Sequence, residues 1–127
     1  MNNRPSFLFS RYNSFKFAFK GLATVFRHEP NMHLHVMASI VVVVMAFRFE
    51  VTRTEWCMLI FCIGLVWMAE TFNTAIETLT NLVSPEHNPL AGKTKDLAAG
   101  AVLLCAITAV IVGLIIFLPY WQTYFNV

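Results

Sequence analysis

The sequence predicts an all-α integral membrane protein, with an N-terminal amphipathic helix in the membrane interface and three transmembrane helices after it. Three observations carry this expectation. Of 127 residues, 57% are hydrophobic and only 13% are charged, about half the ~25% charge of a soluble globular chain. Mean hydropathy is +0.63. The charges are clustered, and from Leu97 to Val127 there are none. A soluble domain of this size buries about 65–70% of its unfolded surface, which would leave too much apolar surface wet. Disorder needs the opposite composition, low hydrophobicity with high charge. The length suits a single domain over residues 1–127, built from a few helices of about 20 residues each.

The first element is read at residues 6–27. Leu8, Tyr12, Phe15, Phe19, Leu22 and Phe26 recur at helical spacing, with Lys16, Lys20 and Arg27 on one flank and Arg11 on the other. Phe9 and Phe17 break the stripe. The pattern suits a helix lying at the membrane surface with its basic side chains reaching headgroups. A helix packed on a partner is the alternative. A signal peptide is excluded by the lack of an uninterrupted apolar core and of a cleavage-like site.

Pro30 suits the first turn of a helix, where its missing N–H costs nothing. Residues 30–48 are the first span, with no formal charge from Asn31 to Phe47. His33 and His35 near its start read as polar residues at headgroup level. Residues 49–55 read as a tight exterior turn. Trp56, a residue favoured at interfaces, opens the second span. Its apolar stretch 56–69 is too short to cross alone, so the helix must continue through Glu70, Asn73 and Glu77 to Val83, where Ser84 and Pro85 break it. Residues 84–96 read as a second loop. The third span is 97–118, about 33 Å long at 1.5 Å per residue. It ends at an aromatic interface of Pro119, Tyr120, Trp121 and Tyr124.

Net charge is +2, which says little, whereas the distribution says more. Arg4, Arg11, Lys16, Lys20 and Arg27 precede the first span with no acid among them. Together with Lys93 and Lys95 they put seven basic residues on one side, against Arg48 and Arg53 on the other. That asymmetry predicts a cytoplasmic N-terminus. Nucleic acid is a poor partner, since the basic segment is interleaved with phenylalanines and no nucleic-acid module is present. Cys57, Cys62 and Cys105 all fall in apolar spans without metal-ligand spacing, and read as small buried hydrophobes.

The second span carries the chemistry. At 100° per residue, Asn73, Thr74, Glu77, Thr80 and Asn81 all fall on the side of the helix that holds Glu70. The opposite side offers Leu65, Phe72, Ile76, Leu79 and Val83. An ionised carboxylate near mid-membrane costs about 2.5–3.5 kcal/mol on insertion scales, so a bundle-facing functional role is its default reading. Glu29 and Glu77 lie at one membrane level, where two carboxylates suit Mg²⁺, a hard cation that prefers oxygen ligands. Lys95 and Asp96 head the third span at that same level. Carboxylates, an amide and a lysine at the membrane surface suit a metal-bound phosphate compound, with the deeper Glu70 facing an alcohol from the lipid side. That is a phosphoryl-transfer layout. No G-x-x-x-x-G-K-[ST] and no kinase Gly-rich loop is present. A small transporter coupled to ions or protons would also use intramembrane carboxylates, and a non-catalytic scaffold could use them to join helices.

The run Glu70-Thr-Phe-Asn73-Thr-Ala-Ile-Glu77, followed by His87-Asn-Pro-Leu-Ala-Gly-Lys-Thr-Lys95-Asp96-Leu-Ala-Ala-Gly-Ala-Val, resembles the prokaryotic diacylglycerol kinase / undecaprenol kinase family. Phe19-Lys20-Gly21 and Glu29-Pro-Asn31 fit its N-terminal part, and Val-Gly-Leu-Ile-Ile-Phe-Leu-Pro near the C-terminus resembles the undecaprenol kinase branch. The resemblance implies a homotrimer with active sites shared between subunits, in the bacterial cytoplasmic (inner) membrane. It implies ATP- and Mg²⁺-dependent phosphorylation of a lipid alcohol, diacylglycerol or undecaprenol. By this resemblance Glu70 is the general base and Asn73 supports it. Glu29 and Glu77 bind the metal carried by ATP. Glu86, His87, Asn88, Lys95 and Asp96 contact the nucleotide, with further contacts mapping onto Ser10 and Phe17. The chain departs from the family pattern at Asn81, where Asp is usual, and at Thr94, where Ala is usual. Ser10 and Phe17 stand where one branch has Arg and Tyr, and Arg11 offers a neighbouring charge.

Overall fold

The computed structural model describes residues 6–125. Arg4, counted above among the basic N-terminal residues, lies outside the described residues. The described chain consists of four α-helices: α1 (Phe7–His28), α2 (Pro30–Arg48), α3 (Arg53–Val83) and α4 (Pro89–Phe125). The last three are long and apolar enough to cross a membrane.

Each boundary has a local cause. Ser6 caps α1 by accepting from the Phe9 N–H at 3.4 Å, which starts that helix one residue later than the expected 6–27. Glu29 alone separates α1 from α2 and is extended, with φ −95° and ψ 112°. A residue before proline is pushed out of the helical region, and Pro30 then opens the next helix. The sequence therefore places a carboxylate at this elbow.

α2 ends in a Schellman motif. The Val51 N–H donates to the Ala46 carbonyl at 3.2 Å, and the Glu50 N–H to the Phe47 carbonyl at 3.3 Å. Glu50, at φ 52°, takes the left-handed position usually filled by glycine. Val51 and Ala46 are both buried, the apolar contact that accompanies this motif.

The turn between α2 and α3 is shorter than the expected 49–55, because α3 begins at Arg53 rather than Trp56. A capping box accounts for the difference. The Thr52 hydroxyl accepts from the Glu55 N–H, while the Glu55 carboxylate accepts from the Thr52 N–H at 2.7 Å. The second loop is also shorter than the expected 84–96. α4 begins at Pro89, where the Asn88 side-chain oxygen accepts from the Leu90 N–H at 2.9 Å and proline takes the first helical position. The polar residues 89–96 thus extend the third spanning helix.

That helix also passes through Pro119 to Phe125 instead of ending at Leu118. An interior proline costs about 3 kcal/mol, and packing offsets it. Phe49 stacks on Tyr120 and meets Tyr124 edge-on, the Tyr120 hydroxyl donates to Glu55 at 2.8 Å, and Arg48 lies over the Tyr124 ring and donates to its hydroxyl.

Short connections make α2, α3 and α4 antiparallel neighbours. α3 and α4 share the largest contact. The buried apolar cluster of Ala46, Val51, Leu59, Ile116 and Phe117 sits at the Arg48 end of the bundle. α1 touches the bundle through its C-terminal turn, where Val25 is buried and Phe26 packs edge-on against Trp67. The chain exposes 10021 Å², against roughly 6,800 Å² for a soluble globule of this mass. The excess is apolar side chains suited to lipid, such as Leu34, Phe61, Phe72 and Leu104.

Candidate active site

The predicted stripe on α3 splits by depth. Glu70 and Asn73 are buried, at 1% and 5% exposure. Thr74, Glu77 and Thr80 are half-buried, and Asn81 is exposed. Phe72, Leu79 and Val83 on the opposite side are exposed, as a lipid-facing surface requires. The threonines on this helix are occupied locally: Thr74 donates to the Glu70 carbonyl at 3.0 Å and Thr80 to the Ile76 carbonyl at 2.7 Å.

Glu70 and Asn73 line a cleft of ≈ 240 Å³ between three helices. α2 contributes Asn31, Leu34 and His35, and α4 contributes Ala99, Val102, Leu103 and Ala106. One wall is polar and the other apolar, which suits an amphiphile. Glu70 Oε2 and Asn73 Oδ1 are buried without a hydrogen-bond partner. Such orphans are rare in native proteins and call for a ligand or water. His35 Nε2 lies 3.9 Å from Glu70 Oε2. Glu29 is half-buried at the elbow, and Glu77, also half-buried, lies two turns along α3 from Glu70. Among the described residues no group of three or more His, Cys, Asp or Glu side chains converges closely enough to hold a metal.

A larger groove of ≈ 380 Å³ runs from His35 toward Phe117 between α2, α3 and α4. It shares His35 and Ala106 with the Glu70 cleft. Its lining is mostly apolar, with Ala38, Ala109 and Gly113 leaving room between the helices.

The remaining predicted positions lie outside this cleft. Lys95 Nζ donates to Asn81 Oδ1 at 2.6 Å, joining α4 to the polar stripe of α3. Glu86 and His87 are exposed in the short connection 84–88, and the Asn88 side chain caps α4. Asp96 is exposed on the first turns of α4. Ser10 and Phe17 are exposed on α1, and neither lines the cleft.

Sequence reading missed Asn31 and His35 as parts of this site. It placed His35 at headgroup level, whereas the ring is 21% exposed and faces Glu70. A usable signal was present: Asn31 and His35 are four residues apart, on one face of an otherwise apolar helix. His33 differs, since its Nε2 lies 2.9 Å from the Phe26 carbonyl and ties α2 to the end of α1.

Residues 16–117 match the family described as prokaryotic diacylglycerol kinase. The chain is similar to an undecaprenol kinase of Bacillus subtilis (strain 168), 39% identical over 85% of this chain and 88% of that protein. It is 36% identical to a diacylglycerol kinase of Synechocystis sp., over 84% of this chain and 61% of that protein. It is 32% identical to a diacylglycerol kinase of Escherichia coli (strain K12), over 75% of this chain and 78% of that protein.

Proposed function

This chain belongs to the prokaryotic diacylglycerol kinase family, and we propose that it transfers the γ-phosphate of ATP to the hydroxyl of a membrane lipid alcohol. It is an ATP-dependent lipid kinase. One observation carries the residue assignment: a buried carboxylate with an unpartnered oxygen faces a half-polar, half-apolar cleft between membrane helices.

Glu70 is the general base. Its carboxylate receives the hydroxyl proton as the alcohol oxygen bonds to the γ-phosphorus and the bond to ADP breaks. Asn73, one turn away, orients the reacting groups through its free amide oxygen. Glu29 and Glu77 would hold the Mg²⁺ that arrives with ATP, which when bound would supply neutralisation of phosphate charge. Two carboxylates fit that task, because Mg²⁺ is commonly held by one or two carboxylates plus substrate phosphates. Lys95, Asp96, Glu86, His87, Asn88 and Phe17 contact the nucleotide. Support for this set is that Glu86 to Asp96 follow directly on the end of α3 that carries Glu77.

The apolar groove that meets the cleft at His35 supports a long-chain acceptor. Undecaprenol is favoured over diacylglycerol by the 39% identity to an undecaprenol kinase. The working assembly is a homotrimer with shared active sites. In such an assembly Phe17, exposed on α1 and outside the Glu70 cleft, would be presented to the site of another copy. The enzyme sits in the bacterial inner membrane with a cytoplasmic N-terminus, a reading supported by the excess of basic residues on that side.

Purified protein with radiolabelled ATP, Mg²⁺ and a panel of lipid alcohols tests the reading. Labelled lipid phosphate is expected, formed faster from undecaprenol than from diacylglycerol. Glu70→Gln is expected to lose at least about 100-fold in kcat, the lower end of what a general base supplies. Wild-type turnover in that variant rejects Glu70 as base.

A further inference from the structure

We propose that His35 is a positioning residue for Glu70, holding one carboxylate oxygen through its Nε2–H so that the other receives the proton of the acceptor hydroxyl. This rests on the reading of Glu70 as general base.

Glu70 sits in poor company for a charged base. It is 1% exposed, so water does little to stabilise its charge. Asn31 and Asn73 line the same cleft as neutral amides. The His35 ring lines that cleft too, and its ring N–H is a hydrogen-bond donor to a carboxylate. Its Nε2 lies 3.9 Å from Oε2, which has no other partner. That gap exceeds a hydrogen bond by less than 1 Å or so, and catalytic hydrogen bonds often tighten only when substrate binds.

The alignment of α2 on α3 is fixed beside this pair. Trp67 Nε1 donates to Ser39 Oγ at 3.2 Å, and Ser39 Oγ donates to the His35 carbonyl at 2.7 Å. Phe26 holds the Trp67 ring edge-on at 5.2 Å between centroids. Ser39 is one turn from His35, and Trp67 is one turn from Glu70. The link therefore sets the two helices in register next to the carboxylate and presents the imidazole to it. A histidine serving only the α1–α2 elbow would resemble His33, whose ring nitrogen is already paired with a backbone carbonyl.

The test compares the full-length wild type with His35→Ala and His35→Gln, each assayed for lipid phosphorylation with both substrates varied and for thermal unfolding. His35→Ala is expected to lower kcat about 10–100-fold, the range typical of partners that orient a functional side chain. The KM for ATP is expected to stay within about twofold. His35→Gln, which keeps a donor on a side chain of similar reach, is expected to recover most of the lost kcat. A purely structural role predicts instead that kcat falls together with unfolding temperature, equally in both variants. That outcome, or full kcat in His35→Ala, overturns the proposal while leaving the kinase reading intact. If His35→Ala does not fold, His35→Leu replaces it: a kcat at least about threefold higher in His35→Gln than in His35→Leu supports the donor role, and any smaller difference overturns it. A wild type that phosphorylates no lipid alcohol overturns the kinase reading and this inference with it.

Discussion

Lys95 and Asn81 show how one atom alters the chemistry of a site. An aspartate at 81, usual in the family, would face Lys95 with a charge; the amide holds the ammonium by a neutral acceptor at 2.6 Å. The long stem of the lysine is thus held in place, where the proposed nucleotide contact would use its ammonium group. Truncating the tether with Asn81→Ala is expected to raise the KM for ATP about 2–10-fold, the worth of one hydrogen bond, with kcat little changed. Steady-state kinetics at saturating lipid checks this. At the same scale, the burial of Glu70 and Asn73 was legible from spacing along a single helix. His35 was not, because periodicity says which residues share a face and is silent on which helix that face meets. The Glu70–His35 contact joins residues 35 positions apart on two helices, and such pairings arise only when helices pack.

Individual helices behave as their local signals require, and two of them, α3 and α4, begin earlier than the sequence predicts, on polar stretches that read as loops. Residues 53–55 and 89–96 are hydrophilic, yet each opens a helix with a proper cap, Thr52 with Glu55 in one case and Asn88 with Pro89 in the other. A membrane helix continues past the apolar layer as long as its backbone bonds are satisfied, so hydropathy marks the lipid boundary and capping marks the helix end. Pro119 misled in the same way, because the aromatic packing of Phe49, Tyr120 and Tyr124 holds the helix through it. The turn after α2 offers a clear test. Glu50 holds a left-handed conformation at φ 52°, which costs a side-chain-bearing residue about 1 kcal/mol. Glu50→Gly is expected to stabilise the protein by roughly that amount, measured by thermal or denaturant unfolding in detergent.

For the molecule as a whole, three antiparallel spans put the α1–α2 elbow and the 84–88 connection on one side of the membrane and the Phe49–Thr52 turn on the other. In a Cys57→Ser background, a cysteine replacing Lys93 is expected to react with an impermeant thiol reagent only from the cytoplasmic side. A cysteine replacing Arg53 is expected to react only from the opposite side. Labelling of inverted and right-side-out vesicles checks both, and the reverse pattern rejects the orientation. Composition and charge order alone established the membrane as solvent, the number of spans and the helix that bears the buried carboxylate. Those are properties of transfer free energy and of the 3.6-residue period, which act residue by residue along the chain. The pairing of α3 with α4, the His35–Glu70 approach and the cleft shared by three helices came from packing. Their energies depend on side chains far apart in sequence meeting at contact distance, and that meeting exists only once the helices have assembled.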